Sequence, residues 1–312
     1  MSASIEASRR PAVPPLLVLL FGILTISTGS VLIRYAQAYA PSLVIAAVRM
    51  ILATLTLAPL ALIRQRGELR VLTRAELGLA GLSGFFLALH FALWITSLEY
   101  TSVASSVVFV TSTPLWVAIL SPFILKEPIS RQVLIGMALA LIGGVIIGLS
   151  DACTMQGWRL TCPDIAEFFQ GRAILGDLLA LGGALAAAFY VLIGRRLRLK
   201  YSLVTYIFLV YGGAAVVLGL SMLASGDSPL GYPPVAYLWF GLIALLPQLL
   251  GHSSFNWALG YVSAAFVSVA LLCEPIGAIL LAYIFLGEAP SPLKLFGAIL
   301  ILTGITIASR GK

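Results

Sequence analysis

The sequence predicts an all-α polytopic membrane protein: ten transmembrane helices arranged as two inverted five-helix repeats. Three observations predict it. The 312 residues are 60% apolar and only 10% charged, against roughly 25% charged in soluble domains. So few charges cannot cover a water-facing surface, so the outer surface must face lipid. Apolar runs close to the roughly 20 residues that a bilayer requires recur along the whole chain. The second half of the chain also repeats the first.

The ten runs fall at 14–35, 42–63, 77–97, 101–123, 131–150, 174–194, 202–224, 235–255, 262–286 and 292–309. The first reads as a retained span rather than a cleavable leader. Arg9 and Arg10 precede a stretch long enough to span, and no small-residue cleavage site stands out after it. Connections are short except 151–173. The expected domains are therefore a first five-helix repeat at 1–150, an external loop at 151–173 and a second five-helix repeat at 174–312.

The net charge of +7 sits in short clusters between apolar runs, which marks topology and not a nucleic-acid surface. One side collects fourteen Lys and Arg: Arg9, Arg10, Arg64, Arg66, Arg70, Arg74, Lys126, Arg131, Arg195, Arg196, Arg198, Lys200, Arg310 and Lys312. The other has four: Arg34, Arg159, Arg172 and Lys294. The basic side is expected to be cytoplasmic, with both termini on it, in an inner membrane. The 151–173 loop then lies outside, where Cys153 and Cys162 are candidates for a bridge. Cys273 sits inside a span and reads as an apolar filler.

Shifted by 161 residues, 96–148 falls on 257–309 without a gap. Tyr100 then meets Tyr261, Ser102 meets Ser263, Pro114 meets Pro275, Glu127 meets Glu288, Gly136 meets Gly297 and Gly143 meets Gly304. Hydrophobicity alone does not produce matches of Tyr, Pro, Glu and Gly. Nearer the start of each half the shift is 160, placing Val31-Leu32-Ile33 on Val191-Leu192-Ile193 and Ser42-Leu43-Val44 on Ser202-Leu203-Val204. Each half thus has five helices. Five is odd, so the second half enters the membrane from the opposite side, the inverted repeat that suits alternating access. A channel or a scramblase can share that plan.

The stretch SLEYTSVASSVVFVTSTPLWVAILSPFILKEPISRQVLIGMALALIGGVII and its partner ALGYVSAAFVSVALLCEPIGAILLAYIFLGEAPSPLKLFGAILILTGITI resemble helices four and five of the EamA-type drug/metabolite transporters. Pro41 with Arg49 in the second helix also looks like that family. The resemblance occurs twice and covers most of the chain. It implies a ten-helix transporter whose central cavity is lined mainly by helices 1, 3, 4, 6, 8 and 9. Its cargo class stays open among amino acids, nucleotide derivatives, vitamins and drugs. Glu274-Pro275 in the second half replaces Thr113-Pro114 in the first, so coupling chemistry is expected in the second half.

Charged groups are costly inside a bilayer, so each one there is a functional candidate. Glu274, about halfway along helix nine, can take up and release a proton or hold a substrate ammonium; the competing reading is a structural carboxyl beside a proline kink. Arg49 can meet a substrate carboxylate or pair with an acid, but its long stem can also snorkel to the headgroups, and the structural reading is preferred. His90 and Trp94 share one helix face, as do Gln248 and His252, with Asn256 beyond. These polar stripes lie on repeat mates and are read as cavity walls, against the alternative of interhelical glue. Tyr190 and Trp257 complete the expected substrate-binding set. The hydroxyls Ser102, Ser105, Ser106, Ser112 and Thr113 read better as close-packing residues. Pro114 and Pro275 are expected to kink their helices beside the cavity. Glu127 and Glu288 read as helix-end caps, with gate ion pairs as the rival role.

With one internal Arg, the site does not suit multiply phosphorylated cargo, and a zwitterion or a planar neutral molecule fits better. The resulting expectation is a secondary-active exporter of small metabolites, with amino acids favoured and the family's aromatic amino acid exporters an apt comparison. The alternatives are an importer of a vitamin or nucleobase, a non-transporting membrane scaffold, and a pore. No enzyme motif, ATP-binding loop, cofactor motif or metal-ligand spacing is present. The expected partners are the small-molecule substrate and membrane lipid, with monomer and homodimer both open.

Overall fold

The computed structural model describes residues 11–101, 106, 109–152, 154–156, 159–161, 172–274, 276–277, 280–281 and 290–310. Among them, six helical stretches are long and apolar enough to cross a bilayer: Pro15–Gln37, Ser42–Arg64, Arg74–Tyr100, Ile174–Arg198, Leu203–Ala224 and Pro234–Ala258. Three apolar helices are shorter: Thr113–Ile124, Arg131–Ile146 and Leu295–Ala308. The chain is a multi-pass integral membrane protein. Its surface agrees, because Leu55, Phe123, Leu220 and Leu223 are each more than half exposed. Such side chains are a liability in water and suit lipid tails.

In chain order, α1 (Pro15–Ile26) and α2 (Gly29–Gln37) share the first stretch, followed by α3 (Ser42–Arg64), the short α4 (Arg66–Val71) and α5 (Arg74–Tyr100). Then come α6 (Thr113–Ile124) and α7 (Arg131–Ala152). A two-stranded antiparallel hairpin, β1 (Thr154–Gln156) and β2 (Arg159–Thr161), follows, with Thr154 opposite Thr161. It is the one departure from an all-helical chain among the described residues. The second half runs through α8 (Arg172–Arg198), α9 (Leu203–Ala224), α10 (Pro234–Ile243), a π-helical segment (Ala244–His252), α11 (Ser253–Ala258), α12 (Ala264–Leu271) and α13 (Pro292–Ser309). Helix starts are written in the sequence. Thr73 and Glu76 form a capping box before α5. Ser202 and Ser263 accept from the backbone N–H of Thr205 and Phe266 before α9 and α12. Each satisfies a donor that the helix leaves free.

Packing follows the repeat. The α7 helix lies on α13, and α6 on α12; α5 against α8 is answered by α1 against the π segment. On α7, a Cβ at Gly136 would stand 2.3 Å from the Gly304 carbonyl oxygen, and one at Gly143 would stand 2.5 Å from that of Gly297. Numbers rise along α7 as they fall along α13, so the two run antiparallel in backbone contact, which only glycine permits. Loops 64–76, 124–131 and 195–203 gather at one end of the bundle, joined by Lys200–Glu76, Arg195–Glu127 and Ser202–Glu68 contacts. Cys153, Cys162, Ser102, Ser105, Pro275 and Glu288 lie outside the described residues. Cys273 is buried, with a free thiol.

Candidate functional site

Four breaks in regular helix create the site. Between α1 and α2, Ser27 Oγ donates to the Ile23 carbonyl at 2.7 Å and to that of Glu274 at 2.8 Å, while Thr28 Oγ1 donates to Thr25 O at 2.7 Å. Hydroxyls that compete with the backbone in this way turn the chain. Before α6 the chain turns at Thr111–Ser112, and Pro114 stands in the first turn of the helix. There its missing N–H costs nothing. Pro114 therefore starts a helix, where a mid-helix kink in a continuous 101–123 span was expected. Thr113 Oγ1 ties this break to α8 through the Ala184 carbonyl at 3.3 Å. In the third break, Pro247 supplies no N–H and the turn widens to π geometry, with Ser253 N reaching back to Gln248 O. The fourth is the turn at Leu272–Cys273, just before Glu274.

All four breaks border one cavity of about 80 Å³, through Ile26 and Gly29, Thr111 and Pro114, Pro247 and His252, and Leu272 and Glu274. At roughly 10–15 Å³ each on this measure, several waters fit. Irregular backbone is tolerated at membrane depth where it lines such a space.

Arg49 enters the cavity wall from α3 and is 1% exposed, so it does not snorkel. Its Nε donates to Gln248 Oε1 at 2.8 Å, and its guanidinium carbon sits 4.0 Å from the Phe91 ring centre. Nη1 and Nη2 are buried without an acceptor. Glu274 lines the same cavity and feels the Arg49 charge, yet the two form no ion pair. His90 Nδ1 lies 2.9 Å from the Gly183 carbonyl. A carbonyl only accepts, so Nδ1 carries a proton and donates it to Gly183. His252 packs edge-on to Phe91. Tyr190 donates to Asn256 Oδ1 at 2.7 Å, and Asn256 Nδ2 donates to Tyr211 at 3.2 Å. The Trp94 ring stacks on His90, and its Nε1 is buried without a partner.

Of the residues the sequence singled out, His90, Trp94, Tyr190, His252, Glu274 and Pro114 line the cavity, and Gln248 reaches it through Arg49. Trp257 does not. It packs on Tyr261, 4.4 Å between ring centres, over a shallow depression at the basic end of the bundle. Ser106 is buried and bonded to Ser97 at 2.7 Å, as a packing hydroxyl. Asn256, which continues the Gln248–His252 stripe at helical spacing, lines the cavity as well. Phe255 and Ser268 join the lining without having been assigned to it, and they carried no signal beyond ordinary core composition.

The basic end is closed by polar contacts. Arg195 Nε donates to Glu127 Oε1 at 3.0 Å and its Nη1 to the Leu259 carbonyl at 2.8 Å. Glu68 accepts from Ser202 N at 3.0 Å and Ser202 Oγ at 2.7 Å. Burial pushes the Glu68 carboxyl up, but hydrogen bonds from Thr205 and Ser202 and the Arg198 charge outweigh it, so its pKa lies below the ordinary value. The hydrogen bond to Glu76 raises that of Lys200.

A family model described as the EamA-like transporter family matches residues 13–149 and again 174–310. An uncharacterized transporter of Archaeoglobus fulgidus is 25% identical over 285 residues, covering 90% of this chain and 93% of the relative. The uncharacterized transporter YyaM of Bacillus subtilis is 26% identical over 241 residues, 75% of this chain and 71% of its own. A probable terminal-alkyne amino-acid exporter of Streptantibioticus cattleyicolor is 34% identical over 68 residues, 22% of this chain and 23% of that protein. A protein crystal structure 17% identical in sequence superposes with a TM-score of 0.75 over 95% of this chain and 96% of its own, a likeness of fold.

Proposed function

The chain belongs to the EamA-like transporter family, and on that premise we propose that it is a secondary-active exporter of small metabolites, with amino acids, aromatic ones foremost, as cargo. It works by alternating access between two inverted five-helix repeats, 1–150 and 174–312, separated by the external loop 151–173. The observation that carries the reading is convergence. Four backbone interruptions and two opposite charges, Arg49 and Glu274, border one cavity between the repeats. Discontinuous helices around a midplane site are what transporters of this plan use.

The glycine seam supports the inversion. Gly136 faces Gly304, the mate of Gly143, and Gly143 faces Gly297, the mate of Gly136. A two-fold axis across the helices produces that reciprocal pairing. The gathering of basic loops at one end supports an inner-membrane orientation with both termini cytoplasmic. One Arg, one Glu and the rings of Trp94, Tyr190 and Phe255 suit a zwitterion with a planar side chain. The name of the Streptantibioticus relative points the same way. In this reading His90, Trp94, Tyr190, Gln248 and His252 contact cargo. Glu274 binds cargo and carries the coupling proton, and Pro114 and Pro275 mark hinges.

The test is flux in proteoliposomes loaded with labelled tryptophan or phenylalanine, with and without a proton gradient. Saturable, gradient-sensitive efflux is expected, and Glu274→Gln should abolish the pH dependence in a protein that remains monodisperse. Equal pH dependence in that variant removes the coupling role. Absence of flux from the folded protein removes the amino acid cargo.

A further inference from the structure

We propose that Arg49 is the carboxylate-binding subsite of the cavity. Its Nη1–Nη2 edge takes the cargo carboxylate, Gln248 and Phe91 hold the guanidinium in position, and Glu274 receives the cargo ammonium group. The inference rests on the amino acid reading and adds to it a polarity: cargo lies with its acid end toward the first repeat and its amine toward the second.

The argument begins with which parts of Arg49 are already engaged. The side chain is permanently charged and 1% exposed. Gln248 Oε1 takes Nε at 2.8 Å, and the Phe91 ring covers one face of the guanidinium at 4.0 Å. What remains is the edge bearing Nη1 and Nη2, and both are buried with no acceptor. Buried charged donors left unpaired are strongly unfavourable until an acceptor arrives.

The second observation concerns the sign of what is missing. Gln248 must turn its oxygen to Arg49, which leaves its Nε2 as a donor on the side of Tyr211. Trp94 Nε1, in the cavity wall, is buried without a partner. Around Arg49 the unsatisfied buried atoms are all N–H groups. A site made of unpaired donors calls for an anion rich in acceptor lone pairs. A planar guanidinium edge with two parallel N–H bonds fits a carboxylate in two-point contact.

The third observation is the counter-charge. Glu274 lines the same cavity and feels Arg49's charge without pairing with it. One cation and one anion held apart across a cavity form the complement of an α-amino acid. Arg49 belongs to the first repeat and Glu274 to the second, so bound cargo links the two bodies whose relative movement alternating access requires.

The experiment uses the purified full-length protein and three probes by calorimetry: phenylalanine, 3-phenylpropionate, which lacks the ammonium, and phenethylamine, which lacks the carboxylate. Phenylalanine should bind tightest. Arg49→Gln should weaken phenylalanine and 3-phenylpropionate by about tenfold to a hundredfold and leave phenethylamine unchanged, whereas Glu274→Gln should weaken phenylalanine and phenethylamine and leave 3-phenylpropionate unchanged. Arg49→Lys keeps the charge but not the two-point edge, guards against misfolding, and should lose carboxylate affinity at an unaltered melting temperature. Equal binding of 3-phenylpropionate by the unsubstituted protein and Arg49→Lys overturns the subsite. So does a protein that binds phenethylamine and ignores 3-phenylpropionate, although the carrier reading then survives with a cationic cargo. If the folded protein binds none of the three, the amino acid reading itself falls and the subsite with it.

Discussion

Where α7 packs on α13, the two repeats present the same residues to each other; around the cavity they present different ones. At the seam, glycine meets glycine, and each repeat supplies the backbone oxygen that the other's missing Cβ leaves room for. At the cavity, Arg49 has Leu209 as its repeat mate, Glu274 has Thr113, and His252 has Phe91. Symmetry is kept where it sets backbone geometry and is broken where it sets charge. A symmetric pair of sites would bind cargo in two opposed orientations. The broken one supplies one cation and one anion, and so a single orientation.

The largest expected effect breaks the symmetric region. Gly136→Ala and Gly143→Ala place a methyl against a backbone carbonyl that cannot rotate away, 2.3 Å and 2.5 Å from its oxygen. Overpacking of this kind costs about 1–3 kcal/mol, and more when backbone must move. Thermal unfolding in detergent should show the loss for both. Gly144→Ala, on the same helix with nothing within 4 Å, should unfold with the parent protein. Equal melting of all three variants would mean that the seam is not in backbone contact.

The next effect sharpens the asymmetric region. Gln248 is the acceptor that fixes Arg49 Nε. Gln248→Leu leaves a buried charged donor unpaired and should lower phenylalanine affinity by roughly tenfold. Gln248→Glu keeps the acceptor but neutralises the guanidinium, and should abolish 3-phenylpropionate binding while sparing phenethylamine. Calorimetry reads both. Parallel losses for both probes would show that Gln248 merely packs.

The same contrast explains what the sequence disclosed. The seam was legible, because Gly136, Gly143 and their mates announce close helix packing and survive a simple shift of the chain. The cavity was legible in its polar stripes, since His90 with Trp94 and Gln248 with His252 follow helical spacing. Three things were not. Trp257 stands five residues past His252, off the face that Gln248 and His252 share, and was included for its aromatic ring alone, which does not say which space the ring meets. The break before α6 was hidden because Pro114 reads alike as a kink within a helix and as the start of one. Arg49 read more readily as a structural side chain with a stem long enough to snorkel than as a group of the cavity. Only tertiary packing against Phe91 and Gln248, residues far away in sequence, decides between them.

A smaller effect is expected at the basic end. The Arg195–Glu127 pair is partly exposed, 14% and 28%, and pairs in that class contribute about 1 kcal/mol or less. Glu127→Gln should favour opening at this end by about fivefold at most. A cysteine replacing Ser268, which lines the cavity, would report it as faster reaction with an impermeant maleimide added from the side of the 195–203 loop. An unchanged rate would assign Glu127 to capping alone.

The smallest effect returns to symmetry broken at a helix start. Ser42 and Ser202 are repeat mates, and each N–H is taken by a carboxylate from elsewhere in the chain. Ser42 N donates to Glu99 at 3.3 Å, one weak bond. Ser202 gives Glu68 both its N–H and its hydroxyl, and these bonds help hold the Glu68 pKa below the ordinary value. A depressed folded pKa means the contribution is present above the unfolded value and is lost as pH falls through the folded one. Glu68 is half-buried at the end of the bundle, where solvent still screens its bonds, so the amount is about half a kcal/mol or less. Melting temperature should therefore fall slightly more steeply below about pH 4.3 in the parent protein than in Glu68→Gln. At neutral pH, Glu68→Gln should lower stability more than Glu99→Gln, because it weakens more bonds. The reverse order would mean that the single Ser42–Glu99 bond holds its helix start more firmly than the paired Ser202–Glu68 bonds hold theirs.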